Sequence, residues 1–136
     1  MSNAARVLIV DDNEHNVEIA THLLAQAGMA VAAASDAEQA IAQVAAFQPD
    51  LVLMDIQLPG VDGLALTRQL RSQRTTQRLV IVAFTALAMR GDREKFLAGG
   101  CDGYMAKPID VATFAAEVRA LLPAPPDAST AESPTP

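Results

Sequence analysis

Four segment ends in this chain carry groups that do chemistry. Asp55 follows the apolar run Leu51-Val52-Leu53-Met54 and opens the loop Asp55-Ile56-Gln57-Leu58-Pro59-Gly60. Asp11 and Asp12 follow an equally apolar run, Val7-Leu8-Ile9-Val10; Thr85 follows 79–84, and Lys107 follows Gly103 to Ala106. Open α/β sheets collect their chemistry at the carboxyl ends of their strands. Three carboxylates meeting there repel one another unless protonated or neutralised by a cation, and hard oxygen ligands with room for water favour Mg²⁺. A cation so placed would shield and align an incoming phosphoryl group. Asp55 is then a candidate nucleophile, forming an aspartyl phosphate. The Lys107 ammonium can pair with phosphoryl oxygens, and the Thr85 hydroxyl can hydrogen-bond to one of them. Phosphoryl transfer is mostly positioning and charge stabilisation, so this short inventory suffices.

Taken singly, each residue has an ordinary role. Asp11, Asp12 or Asn13 can cap the helix that follows. Thr85 can end a strand, Lys107 can sit on the surface, and Asp55 can make a turn. The weight comes from the combination: matched residue types at four strand ends make a site.

The segments that would carry them alternate. Strands are expected at about Arg6–Val10, Met29–Ala34, Asp50–Met54, Leu79–Phe84 and Gly103–Ala106. Val17, Ala20, Leu23, Leu24 and Ala27 share one helix face, and Gly28 stops that helix. Ser35-Asp36-Ala37-Glu38 has capping-box spacing before Ala37, Ala40, Ile41 and Val44. Leu66 and Leu70 mark a third helix after Gly63. A fourth runs from about Met89 to Ala98 and ends at Gly99-Gly100. Asp110 can cap a fifth, with the apolar stripe Val111, Phe114, Ala115, Val118, Leu121 and Leu122. Five βα units imply an α/β fold, (βα)5 and flavodoxin-like, with a doubly wound parallel sheet covered on both faces. Strands one, three and four are continuously apolar and suit the centre. Strands two and five are Ala-rich or short and suit the edges, compatible with the order 2-1-3-4-5. That order reverses between strands one and three, where Asp11, Asp12 and Asp55 would meet.

At 136 residues the chain has room for one domain with a real core. It is 51% hydrophobic and 19% charged, a globular composition. The net charge of −6 argues against a nucleic-acid surface, since phosphate backbones need clustered Lys and Arg. The basic residues are dispersed except around Arg68 to Arg78, which reads as a solvated helix end and loop. No apolar stretch approaches the ~18 residues of a membrane span, and Asp11 arrives too early for a signal peptide. The lone Cys101 fits a reducing cytoplasm and reads as a small buried hydrophobe. His15 and His22 read as surface helix residues. From Pro123 the composition changes: fourteen residues hold five prolines, two acids, no bases and no large apolar side chain. We expect a domain over 1–122 and a disordered Pro-rich acidic tail or linker stump over 123–136.

The motifs Asp11-Asp12, Met54-Asp55-Ile56-Gln57-Leu58-Pro59-Gly60 with Gly63, Thr85-Ala86 and Lys107-Pro108 resemble those of the bacterial response-regulator receiver domain (CheY-like superfamily). The resemblance covers roughly Ala5 to Leu122. It implies Asp55 as phosphoacceptor, Asp12 as a direct Mg²⁺ ligand, Asp11 reaching the metal largely through water, and the Gln57 backbone carbonyl as a further ligand. It implies Thr85 and Tyr104 as a coupled switch pair, and a cis peptide between Lys107 and Pro108. Thr85-Ala86-Leu87-Ala88-Met89-Arg90-Gly91-Asp92 and Gly99-Gly100-Cys101 are similar to single-domain DivK-type regulators and to hybrid histidine kinase receivers.

The resemblance therefore implies a cytoplasmic phosphorelay module, a signalling domain that promotes its own phosphotransfer and dephosphorylation. A histidine kinase or histidine phosphotransfer protein would donate the phosphoryl group to Asp55. A downstream protein effector would read the face made by the fourth helix, fifth strand and fifth helix. The chain would be a monomer or a weak phosphorylation-dependent dimer, with no nucleic-acid or membrane partner. Three alternatives stand beside this: a receiver excised from a larger hybrid kinase, a static receiver-like adaptor, and an aspartyl-phosphate phosphatase. A phosphatase usually places a second acid two residues after its nucleophile; here that position is Gln57. The full set of Asp11, Asp12, Thr85 and Lys107 argues against a static adaptor.

Overall fold

A computed structural model describes residues 4–58, 60–76, 79–86 and 92–122, without the side chains of Val61 and Arg93. The elements in chain order are β1 (Arg6–Val10), α1 (Glu14–Gln26), β2 (Ala30–Ala34), α2 (Ala37–Phe47), β3 (Leu51–Met54), β4 (Gln57–Leu58), β5 (Val61–Asp62), α3 (Gly63–Arg71), β6 (Val80–Thr85), α4 (Asp92–Ala98), β7 (Gly103–Ala106) and α5 (Phe114–Leu121). The main sheet runs β2-β1-β3-β6-β7, parallel throughout. With the two-residue ribbon β4–β5 set aside, this is the expected 2-1-3-4-5 order.

Alternation along the central strands builds two cores. Leu8, Val10, Val52, Met54, Ile81 and Ala83 face α2, α3 and α4, meeting Ala40, Val44, Leu66, Leu70 and Phe96. Val7, Ile9, Leu51, Leu53, Val82 and Phe84 face α1 and α5, meeting Ala20, Leu24, Phe114 and Val118. Because both faces are covered, β1 and β3 read as unbroken apolar runs; β2 lies at an edge and needs only alanines and Val31.

Three local expectations need correction. The cap of α2 is Asp36, whose Oδ1 accepts the Gln39 N–H at 2.8 Å. Gln39 Oε1 in turn accepts the Ser35 N–H at 2.9 Å, so the box is displaced one residue from Ser35/Glu38. Asp110 shapes the turn before α5, accepting the Ala112 N–H at 3.0 Å, while Thr113 occupies the cap position. Val111 therefore lies on that turn, 65% exposed, and leaves the apolar stripe to Phe114, Ala115, Val118, Leu121 and Leu122. Finally, Arg71 is not a solvated helix-end residue. Its Nε donates to the Gly100 carbonyl at 2.9 Å and its guanidinium pairs with Asp102 at 2.5 Å, tying α3 to the loop before β7.

The expected start of the fourth helix at Met89 and the tail from Pro123 lie outside the described residues. No described helix is long and apolar enough to cross a membrane.

Candidate functional site

Register brings the acidic residues together. Val10 pairs with Met54, so β1 and β3 end in step, while β6 continues two residues past Ala83, the partner of Met54, to Thr85. Asp11 and Asp55 are each the next residue. The Asp55 N–H donates to the Val10 carbonyl at 2.9 Å, and the Asp11 N–H to the Ala34 carbonyl at 3.0 Å. These bonds extend the ladder one step and fix both backbones at the sheet's rim. Asn13 caps α1, its Oδ1 accepting the Asn16 N–H at 3.1 Å. That leaves Asp11 and Asp12 available to the crevice.

Asp11 and Asp55 are buried and Asp12 is exposed. Carboxylate oxygens of all three lie within 4.8 Å of one another. Asp55 Oδ1 accepts the Gln57 N–H at 3.0 Å, and Asp11 Oδ1 accepts the Asn13 N–H at 2.9 Å. Lys107 enters from the end of β7, held by its backbone N–H donating to the Thr85 carbonyl at 2.9 Å. Its Nζ lies 2.7 Å from Asp11 Oδ2 and 3.4 Å from Asp55 Oδ2. The first contact is ionic without hydrogen-bond alignment, so Asp11 Oδ2 is buried yet accepts no hydrogen bond.

These features fit a hard divalent cation. The donors are carboxylate oxygens within one ion's reach, one of them lacks a hydrogen bond, and Asp12 leaves the cluster open to water. A groove of about 620 Å³ beside the crevice is lined by Asp12, Glu14, Glu18 and Asp36, adding a negative field that attracts cations.

Burial pushes the Asp55 carboxyl above the ordinary carboxylate value, and the Asp11 charge adds to the rise. The Gln57 N–H and the Lys107 ammonium pull it the other way without cancelling it. A carboxyl whose pKa is higher folded than unfolded binds more protons in the native state between the two values. Its ionisation then opposes folding, fully above the folded pKa and not at all below the unfolded one. We expect Asp55→Asn to stabilise the metal-free protein by on the order of 1 kcal/mol at neutral pH. Urea melts in chelator should show that gain shrinking as pH falls through the Asp55 pKa. A pH-independent gain would assign it to something other than charge.

Thr85 ends β6 fully buried and pairs with Ala106 in register. Tyr104 pairs with Ala83, two rungs back, and its half-buried ring packs on Phe96 of α4 with centroids 5.6 Å apart. The Lys107–Pro108 peptide is cis. Gln57 is exposed on β4, and its backbone N–H holds Asp55. His15 and His22 are exposed on α1. Cys101 is buried, which pushes its thiol up and keeps it a small packed hydrophobe.

Gly63 is a residue whose role was not legible. A Cβ there would lie 2.3 Å from the Asp55 carbonyl oxygen and 2.7 Å from Ile56 Cα. The first turn of α3 thus packs directly on the backbone that carries Asp55. The signal was a glycine opening a helix where Asp62 already supplies the cap.

Comparison with known proteins agrees with this geometry. Residues 7–119 match the response regulator receiver domain. The polar-differentiation response regulator DivK of Brucella ovis is 37% identical over 116 residues, spanning 85% of this chain and 94% of that protein. The receiver domain of a Pseudomonas aeruginosa PAO1 sensor histidine kinase, solved with magnesium coordinated in its active-site cleft, is 35% identical. It superposes with a TM-score of 0.75, covering 88% of this chain and 95% of that one. The Vibrio cholerae chemotaxis response regulator CheY4 has a TM-score of 0.82 at 25% identity, covering 88% and 100%. Strand order, the acidic rim and these likenesses converge: the chain belongs to the response regulator receiver domain family, the phosphoacceptor modules of two-component signalling.

Proposed function

We propose that Asp55 is the phosphoacceptor, that Asp11, Asp12, Asp55 and the Gln57 carbonyl hold Mg²⁺, and that a histidine kinase or histidine phosphotransfer protein in the cytoplasm is the donor. The observation that carries this is the Lys107 ammonium lying between two buried carboxylates at the sheet's reversal, 2.7 Å from Asp11 and 3.4 Å from Asp55. Mg²⁺ held by these residues would supply positive charge to neutralise the carboxylates and shield phosphoryl oxygens. The Gln57 N–H and Lys107 fix the plane of the Asp55 carboxylate. A carboxylate oxygen attacks phosphorus, the phosphorus–nitrogen bond to the donor histidine breaks, and the imidazole leaves with the bonding pair. Lys107 then pairs with a phosphoryl oxygen, and Thr85 hydrogen-bonds to another. The same groups would assist attack by water when Asp55 is regenerated.

Thr85 and Tyr104 form the switch. Movement of Thr85 toward the phosphoryl group opens space for the Tyr104 ring, which already leans on α4 through Phe96. The α4–β7–α5 face changes and a protein effector reads it, the chain acting as a monomer or a weak phosphorylation-dependent dimer.

With Mg²⁺ and acetyl phosphate, intact mass should rise by one phosphoryl group. Asp55→Asn should abolish that gain. Stoichiometric labelling of Asp55→Asn, or labelling undiminished by chelator, would overturn the assignment of the acceptor or of the metal respectively.

A further inference from the structure

Phe84 precedes Thr85 on β6 and reads in sequence as the last residue of an apolar strand. It is fully buried, yet one side of its ring faces a charge: Lys107 Nζ lies 5.1 Å from the ring centroid. The other support is Phe114 of α5, with centroids 5.8 Å apart and rings tilted by 41°. The ammonium is therefore bounded by two carboxylates and an aromatic ring, and the Lys107 side chain is only 12% exposed. An aliphatic side chain would exclude water equally well. An aromatic ring also attracts the cation through its quadrupole, most strongly where water is scarce.

We propose that Phe84 is a positioning residue for phosphoryl acceptance, its ring holding the Lys107 ammonium at the mouth of the Asp11–Asp55 pair. This rests on the phosphoacceptor reading above and adds a specific role for the ring's charge distribution. Lys107 hangs on a flexible four-carbon stem with many accessible rotamers. A ring behind it narrows the positions the ammonium can occupy, so the cation is already in place when phosphoryl charge arrives.

Site-specific incorporation of mono-, di- and trifluorophenylalanine at position 84 withdraws charge from the ring with little change in shape. Acetyl-phosphate labelling at saturating Mg²⁺ should slow stepwise, by roughly five- to tenfold over the series. The same series at Phe114, which touches Phe84 and lies on the α5 side, should leave the rate unchanged, and thermal midpoints should move little at either position. A flat series at position 84, or equal losses at 84 and 114, overturns the proposal. A readout independent of phosphorylation is the ring-current shift of the Lys107 Hε protons in NMR, which Phe84→Leu should remove. Shifted Hε protons in a wild-type protein that acetyl phosphate fails to phosphorylate would refute the phosphoacceptor reading while leaving the ring contact standing; unshifted Hε protons would refute the contact itself.

Discussion

Lys107→Met should destabilise the metal-free protein by on the order of 3 kcal/mol at neutral pH, the cost of leaving buried charge uncompensated. Methionine keeps most of the apolar stem, so the loss is that of the ammonium. Asp11 and Asp55 are both buried, and Lys107 is the cation that contacts each of them. Without it their mutual repulsion and desolvation go unopposed. Two further results should accompany the loss. Added Mg²⁺ should restore much of the stability, because it supplies positive charge to the same oxygens. Asp55→Asn should stabilise the Lys107→Met background more than the wild type, a coupling visible in a double-mutant cycle. Urea melts in chelator and in Mg²⁺ provide the check. A change below ~0.5 kcal/mol, the scale of an ordinary surface substitution, would show that the pair contributes little and that Asp55 is neutral in the apo protein.

Gly63→Ala should cost about 3 kcal/mol and slow phosphorylation by more than tenfold. Helix propensity alone predicts the opposite sign, a gain of about 1 kcal/mol for Ala over Gly inside a helix. The clash decides the matter, because both atoms in the way, the Asp55 carbonyl oxygen and Ile56 Cα, are backbone and cannot rotate aside. Relief requires α3 to retreat or the Asp55 loop to move, and movement of the loop displaces the carboxylate from Lys107. Gly60→Ala is the contrasting control. Nothing lies within 4 Å of its added methyl, so only its φ of +76° is penalised, by ~1–2 kcal/mol. A loss at Gly63 no larger than that at Gly60 would mean that the clash with the Asp55 backbone is relieved at little cost.

How much of this was readable beforehand depends on the range of the interaction. Burial on two faces made the strand order legible as a compatible arrangement: the apolar runs 7–10 and 51–54 suited the centre, and alanine-rich 30–34 suited an edge. The acidic rim followed from strand ends, since parallel strands in register place their next residues side by side. Caps were less legible, because Ser35, Asp36, Glu38 and Gln39 offer overlapping solutions and only the backbone path chooses among them. Contacts between distant segments were not legible at all. Arg71 looked like a surface residue because its partners, Gly100 and Asp102, lie about thirty positions away. Phe84 looked ordinary, and Gly63 stood out only as part of a motif, because their roles depend on what the fold presses against them.

All five strands of the main sheet are parallel and start at one end of it, and α5 returns to that end, with Leu121 packed beside Gly103 at the start of β7. Residue 4 and residue 122 therefore both lie at the end of the molecule opposite the acidic crevice. Anything joined there, whether an affinity handle, a fluorophore or a sensor chip, hangs from the base with the mouth facing away from it. Immobilised binding assays can anchor the domain by either end without shading Asp55 from an incoming donor.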